Sequence, residues 1–100
     1  MSVVLLIKDA ENAQQRLVPI ATQHVFIAKW LPGALALGLD WVDLMETGYS
    51  VTDENRVDVV RELEMLRNWM KDELEIKRLD RLVVELRDLQ FEKGATAFLG

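Results

Sequence analysis

The chain has 100 residues, of which 50% are hydrophobic and 29% are charged, and its formal net charge is −5. This length and composition are those of one globular domain, residues 1–100, and they exclude an intrinsically disordered chain. The lack of cysteine excludes disulfides, thiolate zinc sites and thiol nucleophiles.

Two β-forming segments open the chain. Residues 3–7 are apolar without interruption and are all β-branched residues or leucine, a pattern typical of a buried strand. Residues 16–21 form a second β-like run, in which Pro19 cannot donate to a hydrogen-bond ladder and therefore favours an edge strand. The two runs predict a β-hairpin over residues 2–21, and a short helix over residues 10–17 is the alternative.

The most apolar stretch of the chain predicts a helix over residues 22–37. Its apolar residues recur at i, i+4 and i+7, Thr22 is a good N-cap, and Gly38 is a natural C-terminal stop. Pro32 removes one helical hydrogen bond and predicts a kink. The alternative is a shorter helix that begins at Pro32, after an extended segment over residues 24–30.

The same stretch is too short for a membrane span. Its longest run without a charge, residues 30–39, is about half of the roughly 20 residues that a spanning helix needs. Residues 3–7 are likewise too short for a signal peptide and follow no basic segment. We therefore expect a cytoplasmic protein that does not bind membranes.

The segment over residues 39–50 has no helical period. We expect it to be extended or irregular, with a turn at Thr47 and Gly48 because glycine favours such turns.

Two further helical patterns follow, over about residues 53–71 and 73–93. Thr52 is the predicted N-cap of the first. Leu63 lies in the first apolar stripe and Leu79 in the second. The two are 16 residues apart, so on one straight helix their side chains would point in directions that differ by roughly 160°. A fold back between the two patterns turns both stripes towards one core and predicts an antiparallel helical hairpin. The alternative is one straight helix whose second stripe is buried by another subunit.

The last residues, 94–100, form a tail with two large apolar side chains that either docks on the body or frays. Gly94 is the predicted stop of the helix before it. The pattern as a whole predicts an α+β fold that is α-dominated. It consists of a short N-terminal β-hairpin followed by about three helices, the last two forming an antiparallel helical hairpin.

The negative charge is concentrated in the middle of the chain. Residues 40–66 contain eight acidic residues and two arginines, a net charge of −6, whereas residues 1–39 have a net charge of +1 and residues 67–100 of zero. Such a field repels phosphate backbones and attracts basic surfaces, so we expect no nucleic-acid binding.

One face of the predicted helix over residues 53–71 carries an acidic ridge, which we define as Glu54, Asp58 and Glu62. Like charges at i, i+4 and i+8 cost roughly 0.2–0.5 kcal/mol per pair. A basic partner would compensate this repulsion, although the alternative is that salt screens it and it is tolerated. The predicted partner-binding residues are Glu54, Asp58, Glu62 and Met65, with Asp43 and Glu46 in support.

The side chains that catalysis requires are scarce. His24 is the only histidine, and Ser2 and Ser50 are the only serines. A lone histidine beside a helix cap is more often structural than catalytic. We therefore expect no enzymatic activity and no cofactor.

Two groups of residues have both a functional and a structural interpretation. Asp40, Asp43 and Glu46 do not match the spacing of a calcium loop, which favours a solvated acidic face over a metal site. An enzyme that uses these carboxylates with a metal is the least favoured hypothesis. The tryptophans lie on or beside apolar stripes, which favours core or rim anchors over an aromatic pocket. They are Trp30, Trp41 and Trp69.

The segment WLPGALALGLDWVDLMETG, followed by LEMLRNWM and LDRLVVEL, resembles a pattern in small bacterial proteins of the immunity type, which neutralise a toxin. The resemblance covers about residues 22–90. It implies a toxin-binding role and supplies no individual site residues. The first 20 residues and the apolar tail depart from the pattern.

We therefore predict a non-enzymatic protein-binding module, plausibly of the immunity or inhibitor type, that places an acidic helical face against a basic partner. The alternative is a structural helical homodimer with no separate ligand.

Overall fold

A four-stranded antiparallel sheet and a layer of helices make up the computed structural model, which describes residues 2–9 and 14–100. The predicted α+β, helix-dominated fold with an N-terminal β-hairpin is confirmed. The elements in chain order are β1 (Ser2–Lys8), β2 (Gln15–Thr22), α1 (residues 23–37), α2 (Asp40–Asp43), β3 (Tyr49–Val51), α3 (Arg56–Trp69), α4 (Glu73–Arg87) and β4 (Thr96–Leu99).

The sheet has the strand order β2-β1-β4-β3. β1 and β2 form the predicted hairpin, and β2, which contains Pro19, is an edge strand. The alternative helix over residues 10–17 does not form at Gln15–Leu17, which lies in β2, and its residues 10–13 lie outside the described part of the chain. The apolar tail docks as β4 between β1 and β3. Neither β3 nor β4 is predicted from the sequence pattern.

The helix α1 combines α-helical Gln23–Val25, π-helical Phe26–Trp30 and α-helical Leu31–Leu37. The Thr22 hydroxyl accepts a hydrogen bond from the Val25 N–H at 3.1 Å, and Gly38 ends the helix with φ 68°, as predicted. The wider π turn directly precedes Pro32, whose missing N–H interrupts the α-helical ladder. Residues 24–30 are therefore helical, and the alternative of an extended segment there is wrong.

Residues 40–46 are helical, which corrects the expectation of an extended or irregular segment. The helix α2 continues into a 3₁₀ turn over Leu44–Glu46, and the predicted turn at Gly48 follows, with φ 93°. The residue before α2, Leu39, makes no capping hydrogen bond with its side chain. The cap comes instead from a residue on α3, described below, so no local sequence signal marks the start of α2.

The predicted helical hairpin is formed by α3 and α4. The N-cap residue of α3 is Asn55, not the predicted Thr52. Thr52 and Asn55 fix the turn before the helix, each side chain accepting a hydrogen bond from the other's backbone N–H. Met70 is extended, with ψ 136°, and Asp72 caps α4 by accepting from two backbone N–H groups. Residues 70–72 are not helical and both apolar stripes are buried, so the alternative of one straight helix is wrong. Gly94 ends the 3₁₀ turn Phe91–Lys93 rather than α4.

The core lies between the helices and one face of the sheet. It includes fully buried leucines from the sheet and from both long helices. Glu75 is 1% exposed, and it accepts a hydrogen bond from the Trp30 indole at 2.9 Å and pairs with Arg78 at 2.8 Å. None of the described helices is long and apolar enough to cross a membrane.

Candidate functional site

Acidic side chains of α2 and α3 lie next to each other. The Glu62 carboxylate reaches the backbone of α2, whose ends carry Asp40 and Asp43. Asp58 lies one helical turn before Glu62 on α3. We define the acidic surface as Asp40, Asp43, Glu46, Glu54, Asp58 and Glu62.

Glu62 caps α2 from a distance. One oxygen of its carboxylate accepts hydrogen bonds from the Trp41 N–H at 2.7 Å and from the Val42 N–H at 3.2 Å. These are N-terminal donors that α2 cannot satisfy within itself. Partial burial raises the pKa of Glu62, the two hydrogen bonds lower it, and nearby Asp40 raises it further, with a net increase. Glu62 therefore has a structural role in addition to its negative charge.

The other two members of the acidic ridge face solvent more freely. Asp58 forms an ion pair with Arg61 at 3.0 Å, and 46% of its side chain is exposed. Glu54 is exposed in the turn that Thr52 and Asn55 fix. The turn places Glu54 before the start of α3, which corrects the predicted ridge: only Asp58 and Glu62 lie on the helix itself.

An aromatic pair lies next to Glu62. The rings of Trp41 and Tyr49 are 5.2 Å apart between centroids and tilted by 57°. The Tyr49 hydroxyl is buried and has no hydrogen-bond partner among the described residues. Burial and the charge of Glu62 raise the pKa of Tyr49. Tyr49 remains neutral throughout the physiological pH range, so it contributes packing and no charge.

Met65 lies on α3 beside the acidic surface, at the edge of a groove with a volume of about 600 Å³. Two of its apolar lining residues are exposed, Val57 by 70% and Met65 by 43%. The groove is lined by Arg56, Val57, Val60, Arg61, Glu64, Met65, Asn68 and Arg87.

The arginines of this groove have partners within the chain. Arg56 donates to the Leu89 carbonyl at 2.6 Å and lies 4.9 Å from the centre of the Phe91 ring. Arg87 pairs with Glu64, and Arg61 pairs with Asp58. The groove therefore offers an apolar floor with internally compensated charges along its rim.

The remaining candidates from the sequence are dispersed. His24 is exposed on α1. Trp30 is fully buried against Phe26, Trp41 pairs with Tyr49, and Trp69 is 40% exposed, so no common aromatic pocket forms. No group of three or more His, Cys, Asp or Glu side chains within residues 2–9 and 14–100 is placed to hold a metal ion.

The structure thus places Glu62 against α2, whose ends carry Asp40 and Asp43, and it places Met65 in the groove with Arg61, the ion-pair partner of Asp58. Neither the capping role of Glu62 nor the groove is predicted from the sequence. The position of Glu62, four residues before Leu66 in the core stripe, is the available signal for its partial burial. Comparison of the chain with protein-family models, with curated proteins and with solved structures found no match.

Proposed function

We propose that this chain is a non-enzymatic protein-binding module that presents its acidic surface to a basic patch on another protein. The observation that carries the proposal is the charge of that surface. It consists of six carboxylates, and among the described residues Arg61 is the base that pairs with one of them, Asp58. The neighbouring acids Asp53 and Glu64 are paired outside it, with Arg56 and Arg87.

The chemistry of the surface supports a protein partner. Separated carboxylates on helices attract a basic protein over long range and raise its association rate. Met65 and Val57 add exposed apolar area beside the charges, and methionine adapts its shape to a partner. A charged region next to an apolar groove is a common composition for a protein interface.

The resemblance to immunity-type proteins suggests the class of partner. Under this proposal the chain neutralises a basic toxin by covering part of its surface, and both act in the cytoplasm. The inhibitor would act by steric and electrostatic occlusion, which needs no catalytic residue.

The test compares two double variants with the same change in net charge. Asp43→Lys/Glu46→Lys reverses two exposed charges of the acidic surface whose side chains form no hydrogen bond with the described residues. Asp88→Lys/Glu92→Lys is the matched control. It reverses two exposed charges, one at the C-terminal end of α4 and one in the 3₁₀ turn that follows it. Glu62 is left intact because its substitution would remove the cap of α2.

Each tagged protein is exposed to extract of the native host at low and at moderate salt. We expect the wild type and the control to retain the same basic protein at low salt, with less retained at moderate salt because ions screen the attraction. Asp43→Lys/Glu46→Lys should lose it. Equal retention by both double variants would contradict the proposal.

A further inference from the structure

The outer face of the sheet, turned away from the helices, is apolar and exposed. Leu17 is 63% exposed and Phe98 is 41% exposed, although both lie within strands. Val4 and Leu6 are partly exposed between them, and Pro19 is exposed. We define the outer sheet patch as Val4, Leu6, Leu17, Pro19 and Phe98.

The strand register makes these side chains neighbours. Leu6 on β1 pairs with Leu17 on one side and with Phe98 on the other, and Val4 pairs with Pro19. Directly opposed residues in an antiparallel pair have Cβ atoms about 4.5–5.5 Å apart. The patch is therefore continuous across β2, β1 and β4.

The outer sheet patch is almost free of charge. Among the described strand residues on this face, Lys8 at one end is the charged one, and its cross-strand neighbours Gln15 and Thr96 are neutral. Arg16, on the same strand as Leu17, points to the opposite face and pairs with Glu85 on α4 at 2.9 Å. The acidic surface belongs to the helical part of the molecule.

We propose that the outer sheet patch binds a second copy of this chain, so that two sheets pack face to face. A chain with a net charge of −5 repels its own copies, and a nearly neutral face is where two copies meet with the least repulsion. A partner that depends on basic groups would gain little from this face. The patch offers apolar contact, and the same patch on a second copy supplies apolar contact in return.

A two-fold axis parallel to β1 gives a self-complementary arrangement. With Leu6 of each copy near the axis, Leu17 of one copy faces Phe98 of the other, because these residues lie on opposite sides of β1. Sheets packed in this way lie about 10 Å apart. Each copy keeps its acidic surface free, so this interface and the proposed partner-binding surface are independent.

The size of the face sets the expected strength. Four strands spaced by about 4.8 Å, with about 3.3 Å per residue along each, give a face of roughly 400 Å². A standard interface buries about 800 Å² per partner, so this face offers about half of the standard area. We therefore expect a weak dimer that forms and dissociates with concentration.

Sedimentation velocity of the full chain over a range of concentrations tests the proposal. We expect the average mass to rise from monomer towards dimer with a dissociation constant in the range of about 10 μM to 1 mM. Added salt should leave the association unchanged or strengthen it, because it screens repulsion between acidic copies. The proposed binding to a basic partner has the opposite salt dependence, so the two proposals fail separately.

Leu17→Lys places a charge inside the interface and should raise the dissociation constant at least tenfold. The matched control is Leu35→Lys, which changes a leucine that is 67% exposed on α1, and it should leave association unchanged. Leu17→Ser, which adds no charge, should weaken association less than Leu17→Lys. Circular dichroism verifies that each variant is folded.

Three outcomes would overturn the proposal. The first is a wild-type chain that stays monomeric up to about 1 mM. The second is association that Leu35→Lys disrupts and Leu17→Lys does not. The third is a monomer that sediments with zwitterionic lipid vesicles in a manner that depends on Leu17, which would assign the patch to a lipid surface.

Discussion

Among the described residues, Glu75 is the charged residue that lies buried in the core. Its two oxygens are both used, one by the Trp30 indole of α1 and one by Arg78 one turn along α4. A buried donor that loses its acceptor retains its desolvation cost without compensation. Glu75 therefore links α1 to α4 through a polar contact within an apolar layer.

We expect Glu75→Ala to lower the free energy of unfolding by about 2–4 kcal/mol, because it leaves the Trp30 N–H unpaired and opens a cavity. Glu75→Gln keeps an acceptor for Trp30 and should cost about 1 kcal/mol. Urea unfolding measures both. Lys77→Ala, an exposed change on the same helix, is the control and should stay within about 0.5 kcal/mol of the wild type. Equal stability of Glu75→Ala and the control would contradict the role of Glu75.

Glu62 makes stability depend on pH in a predictable direction. Its raised pKa means that the folded protein binds a proton at Glu62 more tightly than the unfolded chain does. The stabilisation from this residue is present below the ordinary pKa of about 4.3 and is lost as the pH rises through the folded-state pKa.

Glu62→Gln keeps an acceptor for the N–H groups of α2 and cannot ionise. We expect the melting temperature of the wild type to fall relative to that of Glu62→Gln as the pH rises from about 4 to 7. Thermal unfolding of the two proteins across this range measures the difference. A difference that changes in the opposite sense would show that the hydrogen bonds from α2 outweigh the burial of the carboxylate.

Among the elements, α1 and α3 approach each other most closely at Gly33. A Cβ atom at this position would lie 2.5 Å from Leu66 Cδ1 and 2.7 Å from Trp69 Cε3, well inside contact distance. Glycine is unfavourable within a helix in isolation, so its presence here reflects the close approach of the two helices.

We expect Gly33→Ala to lower the free energy of unfolding by about 1–2 kcal/mol, because overpacking outweighs the better helix propensity of alanine. Denaturant unfolding measures the change. In a Trp69→Ala background the cost of Gly33→Ala should be smaller, because half of the obstruction is gone. An unchanged or increased cost in that background would place the strain elsewhere.

The elements differ in how far the sequence alone predicted them. The α3–α4 hairpin was predictable because the offset between Leu63 and Leu79 is a property of the sequence itself. The helix α2 was not, since its cap is the side chain of Glu62, which the fold brings from α3. The charges of the acidic surface could be anticipated from their positions in the chain. The groove could not, because it depends on how Arg87 of α4 lies beside α3.

Across the whole molecule, the sheet depends on β4. β4 pairs with β1 on one side and with β3 on the other, and its Ala97 and Leu99 enter the core. Strands of three or four residues have weak local signals, and their stability comes from partners that are distant in sequence. This dependence explains why β3 and β4 escaped prediction from the sequence.

We expect removal of residues 95–100 to abolish cooperative folding, because the loss of two core side chains and both ladders approaches the whole stability of about 5–15 kcal/mol of a small domain. Far-ultraviolet circular dichroism and the dispersion of amide NMR signals report the outcome. Thr96→Ala alters an exposed side chain of the same strand and should fold normally. A shortened chain that melts cooperatively would show that the sheet does not need β4.

The pairing of Leu5 with Leu99 joins two strands from opposite ends of the described chain. Such a contact closes a very long loop, whereas the turn between α3 and α4 closes a short one, so the helical hairpin can assemble well before the sheet. During folding β1 and β2 would pair early, whereas β3 would join the sheet only after β4 has paired with β1. Substitutions in the α3–α4 interface should therefore slow folding, whereas substitutions in β4 should chiefly accelerate unfolding.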